Sequence, residues 1–115
     1  MSDDELLKPV EFRGMSRKDL LAFPRPAVEE CGHQLYLVQT GQEPDDWKAM
    51  ASVGHGCFEL RVSEESDAFR VIYVAKFSDA IYVLHCFQKK SRKTAQHDIE
   101  VAKVRYQDLL RELRS

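Results

Sequence analysis

The sequence predicts an α+β domain, in which an N-terminal strand and a helical hairpin pack on a three-stranded antiparallel meander closed by a C-terminal helix. Three observations carry that prediction. The first third holds two helical patterns separated by Pro24 and Pro26. The middle holds three runs rich in β-branched and aromatic residues, Cys57 to Val62, Phe69 to Ala75 and Ala80 to Phe87, joined by loops short enough for hairpins. The end carries Ile99, Ala102, Tyr106, Leu109 or Leu110, and Leu113 at the helical spacing of three and four.

Each element has a local cause. Lys8-Pro9-Val10-Glu11-Phe12 alternates like a short strand, and Pro9, which has no amide hydrogen, points to a sheet edge. Ser16-Arg17-Lys18-Asp19 offers a capping hydroxyl with an acid three residues on, so a helix opens there. Pro24 and Pro26 end it, and a second helix runs from about Ala27 to Val38, burying Val28, Cys31, Leu35 and Val38. Gln42 to Gly56 reads as a polar loop holding Trp47 and the turn formers Pro44, Gly54 and Gly56. The closing helix starts near a cap at Thr94 and either packs on the sheet or lies across its end.

Composition narrows the function. With 115 residues and 43% hydrophobic content there is material for one modest core, so residues 1–115 read as one domain with 1–7 as a flexible lead. No apolar run approaches the roughly 18 residues that span a bilayer, and the acidic start is unlike a secretory signal, so a cytoplasmic protein without a membrane partner is expected. Cys31, Cys57 and Cys86 are odd in number and lie in apolar surroundings, which predicts reduced core thiols. The cysteines and the four histidines show no metal-ligand spacing, and no Gly-rich phosphate loop or serine nucleophile motif occurs, so neither metal nor cofactor is expected.

Charge distribution says more than the net charge of −2. Residues 1–46 hold ten acids and five bases, whereas residues 47–115 hold nine acids and twelve bases. Lys89, Lys90, Arg92 and Lys93 follow one another with no acid between them, at the junction of a strand and a helix, a natural seat for phosphates. Alternation along the first meander strand sends Phe58, Leu60 and Val62 to one face and Cys57, Glu59 and Arg61 to the other. Helices are expected over the first set, leaving Glu59 and Arg61 on an open face. Arg70, too costly to bury unpaired, is placed beside them.

At these spacings Cys57-Phe58-Glu59-Leu60-Arg61-Val62, Phe69-Arg70-Val71-Ile72-Tyr73, and Phe87-Gln88-Lys89-Lys90-Ser91-Arg92-Lys93-Thr94 before a helix, with Asp46-Trp47-Lys48 in the loop, make a combined pattern. It resembles the phage-derived HigB-like branch of the RelE toxin superfamily, over about residues 8 to 112. The resemblance implies a RelE-like fold and a ribosome-dependent mRNA endoribonuclease, a toxin inhibited by a cognate helix-turn-helix antitoxin. It also implies basic roles for Arg61, for Arg70 on the superfamily's most recurrent arginine, and for Lys90 after the last strand. Glu59 stands where RelE has a lysine, and Gln96 where RelE has a tyrosine.

The chemistry follows from the residues as well. Metal-free RNA cleavage needs a base for a 2′-hydroxyl proton, cations for the phosphorane and an acid for the leaving 5′-oxygen. Glu59 is the candidate base, Arg61 and Arg70 the clamp with Lys90, and His97 the acid, while Lys48, Lys89, Arg92 and Lys93 would bind flanking RNA. Structural alternatives stand beside these roles. Glu59 and Arg61 would pair on the sheet, Arg70 would pair with Asp98 or Glu100, His97 would cap its helix, and the lysine run would be a solvated turn. His85, sharing a predicted face with Ile81, Val83 and Phe87, reads as a core histidine. Two rival functions follow: a non-catalytic RNA- or protein-binding module of the same fold, or a prophage accessory protein. The acidic helix pair, Arg17 to Gln39, is the expected antitoxin face.

Overall fold

Alternation along three long strands builds the centre of the molecule. The computed structural model describes residues 7–92 and 94–114. In chain order these form β1 (Val10–Phe12), α1 (Ser16–Leu21), α2 (Arg25–Gln39), β2 (Trp47–Ala49), β3 (Cys57–Glu64), β4 (Asp67–Val74), β5 (Ile81–Lys89) and α3 (Gln96–Arg114). Of the N-terminal lead expected to be flexible, residues 1–6 lie outside the described residues. The fold is α+β, as the sequence predicts.

β3, β4 and β5 are the expected meander, but the sheet has five strands, ordered β1-β5-β4-β3-β2. β1 pairs parallel with β5 at one edge, where Pro9 loses no ladder bond. β2 pairs antiparallel with β3 at the other edge, within the segment read as loop. Three residues are too few to show alternation. What holds β2 is register, Trp47 opposite Leu60 and Lys48 opposite Glu59, rather than a pattern of its own.

Both faces of the sheet are covered. On one, Leu60, Val62, Phe69, Val71, Ile81 and Val83 meet Leu20, Ala27, Cys31 and Leu35 of the helix pair. On the other, Cys57, Ile72, Val74, Tyr82 and Leu84 meet Ala102, Tyr106 and Leu109 of α3, with Met50 and Val53 from the loop before β3. The second face is therefore not the open one that the sequence predicts. β4 is apolar on both sides because both sides are buried.

The helix starts also depart from expectation. Ser16 lies inside α1 and donates its hydroxyl to Val83 O at 3.2 Å, tying the helix to β5, while Met15 precedes it with no side-chain cap. α2 begins at Arg25, with Pro26 in its first turn, where the missing amide hydrogen costs nothing. On α2, Val28 and Val38 are only half-buried, and Gln34 is buried instead. Its amide nitrogen donates to Glu30 Oε1 at 2.7 Å and Asp45 Oδ2 at 2.9 Å, and its oxygen accepts the Asp45 amide at 2.7 Å. Gln34 thus clasps the segment that leads into β2.

A register shift near Ile72 and Tyr73 pairs Tyr73 with Val83 but Ile72 with His85, so Leu84 is the extra residue of a bulge. His85 and Phe87 are thereby carried to the α3 face, away from Ile81 and Val83. His85 is a core histidine, but on the opposite face from the one alternation predicts. All three cysteines are buried and free, and burial pushes the Cys31 and Cys57 thiols up to about 12. Among the described residues, no helix is long and apolar enough to cross a membrane.

Candidate nucleic-acid interface

Where α3 ends its cover of the second face, the strands present charge instead of apolar side chains. Glu59 and Arg61 come from β3, Arg70 from β4 opposite Arg61, and Lys89 from the end of β5 opposite Ala68. Lys48 arrives on β2, opposite Glu59. Together Lys48, Arg61, Lys89, Arg92 and Thr94 line a groove of about 320 Å³, floored by Ala49 and Met50 and bounded by Ile99.

Glu59 organises the groove from beneath. It is only 1% exposed. Its Oε1 lies 3.5 Å from both Arg61 Nε and Arg70 Nε, and its Oε2 accepts the Thr94 hydroxyl at 2.8 Å. Both oxygens are engaged, and Glu59 is not the exposed group that the sequence predicts. Thr94, read as a helix cap, serves this carboxylate. Arg70 donates Nη1 to Phe69 O at 2.9 Å, while its buried Nε, near Glu59 but misaligned, makes no hydrogen bond.

Charge in this cluster is only partly compensated. Burial holds the Arg70 guanidinium below its ordinary value, with Glu59 and Asp46 opposing and Arg61 reinforcing the shift. The Lys89 ammonium is likewise lowered, first by lost hydration and then by Arg70, Arg61 and Lys48, against the attraction of Glu59. Cations from four strands thus face one buried carboxylate. An entering anion relieves that repulsion.

Other candidate residues fall around the groove rather than in it. Lys90 is exposed just beyond β5, and it is Lys89, one residue earlier, that lines the groove. His97 is exposed in the first turn of α3, two residues before Ile99. It is not among the residues that line the groove. Lys93 lies outside the described residues. Among the described residues, no three His, Cys, Asp or Glu side chains come together in a set able to hold a metal ion.

Sequence reasoning missed the role of Thr94, which it read as a helix cap, and assigned none to Trp47. Thr94 lies 35 residues from Glu59, and no local pattern announces their bond. Trp47 alternates with Lys48 across β2 and packs edge-on to Phe58 with ring centroids 5.3 Å apart. The Asp46-Trp47-Lys48 segment was the only available signal.

Residues 18–107, from α1 to most of α3 and including every groove residue, match the family model described as phage-derived protein Gp49-like (DUF891). The chain belongs to this Gp49-like family. No curated protein matches it. In this Gp49-like domain the basic groove draws on β2, β3, β5, the turn before α3 and α3 itself, with Arg70 of β4 buried behind it, so it is a product of the whole fold.

Proposed function

We propose that this Gp49-like protein is the mRNA-cleaving toxin of a toxin–antitoxin pair, of the HigB-like and RelE-like kind, acting in the cytoplasm on mRNA held by the ribosome. The observation that carries this reading is the groove where Lys48, Arg61, Lys89 and Arg92 converge around a single buried carboxylate. Its volume and charge suit one phosphodiester of a single strand.

Cleavage in such a groove proceeds by attack of the 2′-oxygen on the adjacent phosphorus, with the 2′-hydroxyl proton passing to solvent water. The bond to the 5′-oxygen breaks, leaving a 2′,3′-cyclic phosphate. Arg61, with Arg70 behind it, stabilises the charge that builds on the phosphorane oxygens. Lys89, whose ammonium gives up its proton more readily than an ordinary lysine, supplies a proton to the departing oxygen. Glu59 holds the two guanidiniums in place and is not the base. Lys90 and His97 contact flanking RNA or ribosome outside the groove, and Lys93 is a further RNA contact. The cognate helix-turn-helix antitoxin docks on α1 and α2, where Leu21 and Tyr36 are exposed.

A second reading, a non-catalytic RNA-binding module, is favoured by the engagement of both Glu59 oxygens. Induced expression in a bacterium separates the two. The toxin arrests growth and cuts mRNA at discrete positions during translation, and Lys89→Ala and Arg61→Ala each lower cutting by about 10² or more while the protein stays folded. Growth without arrest, with intact mRNA and salt-sensitive RNA binding, overturns cleavage in favour of the module.

A further inference from the structure

On the opposite side of β2 from the basic groove lies a larger cavity of about 700 Å³. Trp47, Phe58 and Tyr73 form its aromatic wall, with Phe58 and Tyr73 centroids 5.9 Å apart, and Pro44, Gln42 and Glu43 stand at its rim. Trp47 is 39% exposed. Its contact with Phe58 is edge to face, with planes at 86°, so Phe58 occupies at most one face of the indole. The exposed part of the indole borders the cavity.

We propose that this cavity is a nucleobase subsite: RNA whose phosphate lies in the basic groove crosses the β2 edge and stacks one base on Trp47. The inference rests on the RNA-binding reading above and adds to it the group that holds a base. Three observations favour a base over other occupants. Trp47 and Lys48 are consecutive and leave opposite faces of one edge strand, so cavity and groove are separated by a single chain, a layer about 10 Å thick with its side chains. A short run of extended nucleotide backbone crosses that distance. The edge itself is unobstructed, because Trp47, Lys48 and Ala49 are all exposed. Glu43, close enough to Tyr73 to add to the effect of burial in raising its hydroxyl pKa, disfavours a phosphate, while Lys8, which also lines the cavity, commits its Nζ to Ala75 O at 2.7 Å, so a neutral ring with amine donors is tolerated.

Trp47 is the only tryptophan, so its fluorescence reports on this site alone. The full-length protein is titrated with a short single-stranded RNA and with an abasic ribose-phosphate oligomer of equal length. Both should bind with salt-sensitive affinity, but only the RNA should quench the indole. Trp47→Leu, which keeps apolar bulk, should weaken RNA binding about tenfold or more while leaving the salt slope and the abasic affinity unchanged. Trp47→Phe should retain part of the RNA affinity. The subsite is overturned if RNA binding is lost in Lys89→Ala yet is unaffected by Trp47→Leu, or if bound RNA leaves the emission unchanged. Trp47→Leu impairing only a protein partner overturns it too, in favour of protein docking. If neither oligomer binds, the RNA-binding reading itself falls, and the subsite with it.

Discussion

Glu59 shows how one residue's role turns on burial. Alternation along β3 was enough to place it on the same face as Arg61, and that placement was legible. Its depth was not, because the cover comes from Thr94 and α3, which are remote in sequence. As a buried counterion it keeps two guanidiniums together; removing its charge leaves them to repel each other in a poorly solvated place. Glu59→Gln should therefore cost about 3 kcal/mol or more in urea unfolding. A base would behave differently, losing cleavage with little change in stability. His85 supplies a second test at this scale. Its Nε2 lies 2.7 Å from Asp98 Oδ1, and Arg105 approaches Nδ1 at 3.4 Å. Burial holds its pKa below 6.5; Asp98 and the more distant Asp19 act against that shift and Arg105 reinforces it. The fold thus favours neutral imidazole, while the unfolded chain gains a proton as pH falls through its ordinary value. Stability should be full above about pH 6.5 and decline below it, by at most about 1.4 kcal/mol per pH unit until the folded group also titrates. Urea midpoints at pH 7.5 and 5.5 measure this, and His85→Asn should flatten the difference.

Among the elements, the legible ones are those that carry their own pattern. β3, β4 and β5 announce themselves through β-branched and aromatic runs, and α3 through its stripe of apolar residues. β2 has no such signal, since it exists through its partner and through the Gln34 clasp on Asp45. The bulge at Leu84 is equally silent, because an added residue reverses the facing of everything after it without altering composition. The candidate site was therefore only partly readable: Arg61 followed from alternation and Arg70 from the cost of burying an unpaired charge, but the choice of Lys89 over Lys90 depends on the bulge. Gln34→Leu should strip the β2 lead of its anchor and leave the Asp45 amide unpaired, costing about 1–3 kcal/mol. Hydrogen exchange at Trp47 to Ala49 should speed up more than exchange at β4, and under the proposed function RNA affinity should fall with it.

For the molecule as a whole, α3 matters twice, as the lid of the second core and as the wall of the basic groove. Its seat is fixed by close backbone approaches that no side-chain pattern encodes. A Cβ on Gly54 would meet the Tyr106 ring at 2.3 Å, and the Tyr106 hydroxyl donates to His55 O at 2.9 Å. Gly54→Ala should thus push α3 outward and cost about 1–3 kcal/mol, read as a lowered melting temperature with weaker RNA binding. Sheet order has a further effect on how copies of this protein treat one another. Both margins are three-residue strands, while the strands of eight and nine residues lie inside. A folded copy therefore offers a neighbour almost no free ladder to extend into a fibril. Polymerisation would have to begin with the peeling away of β1 or β2, which makes the buried glutamine that tethers β2 one safeguard against it.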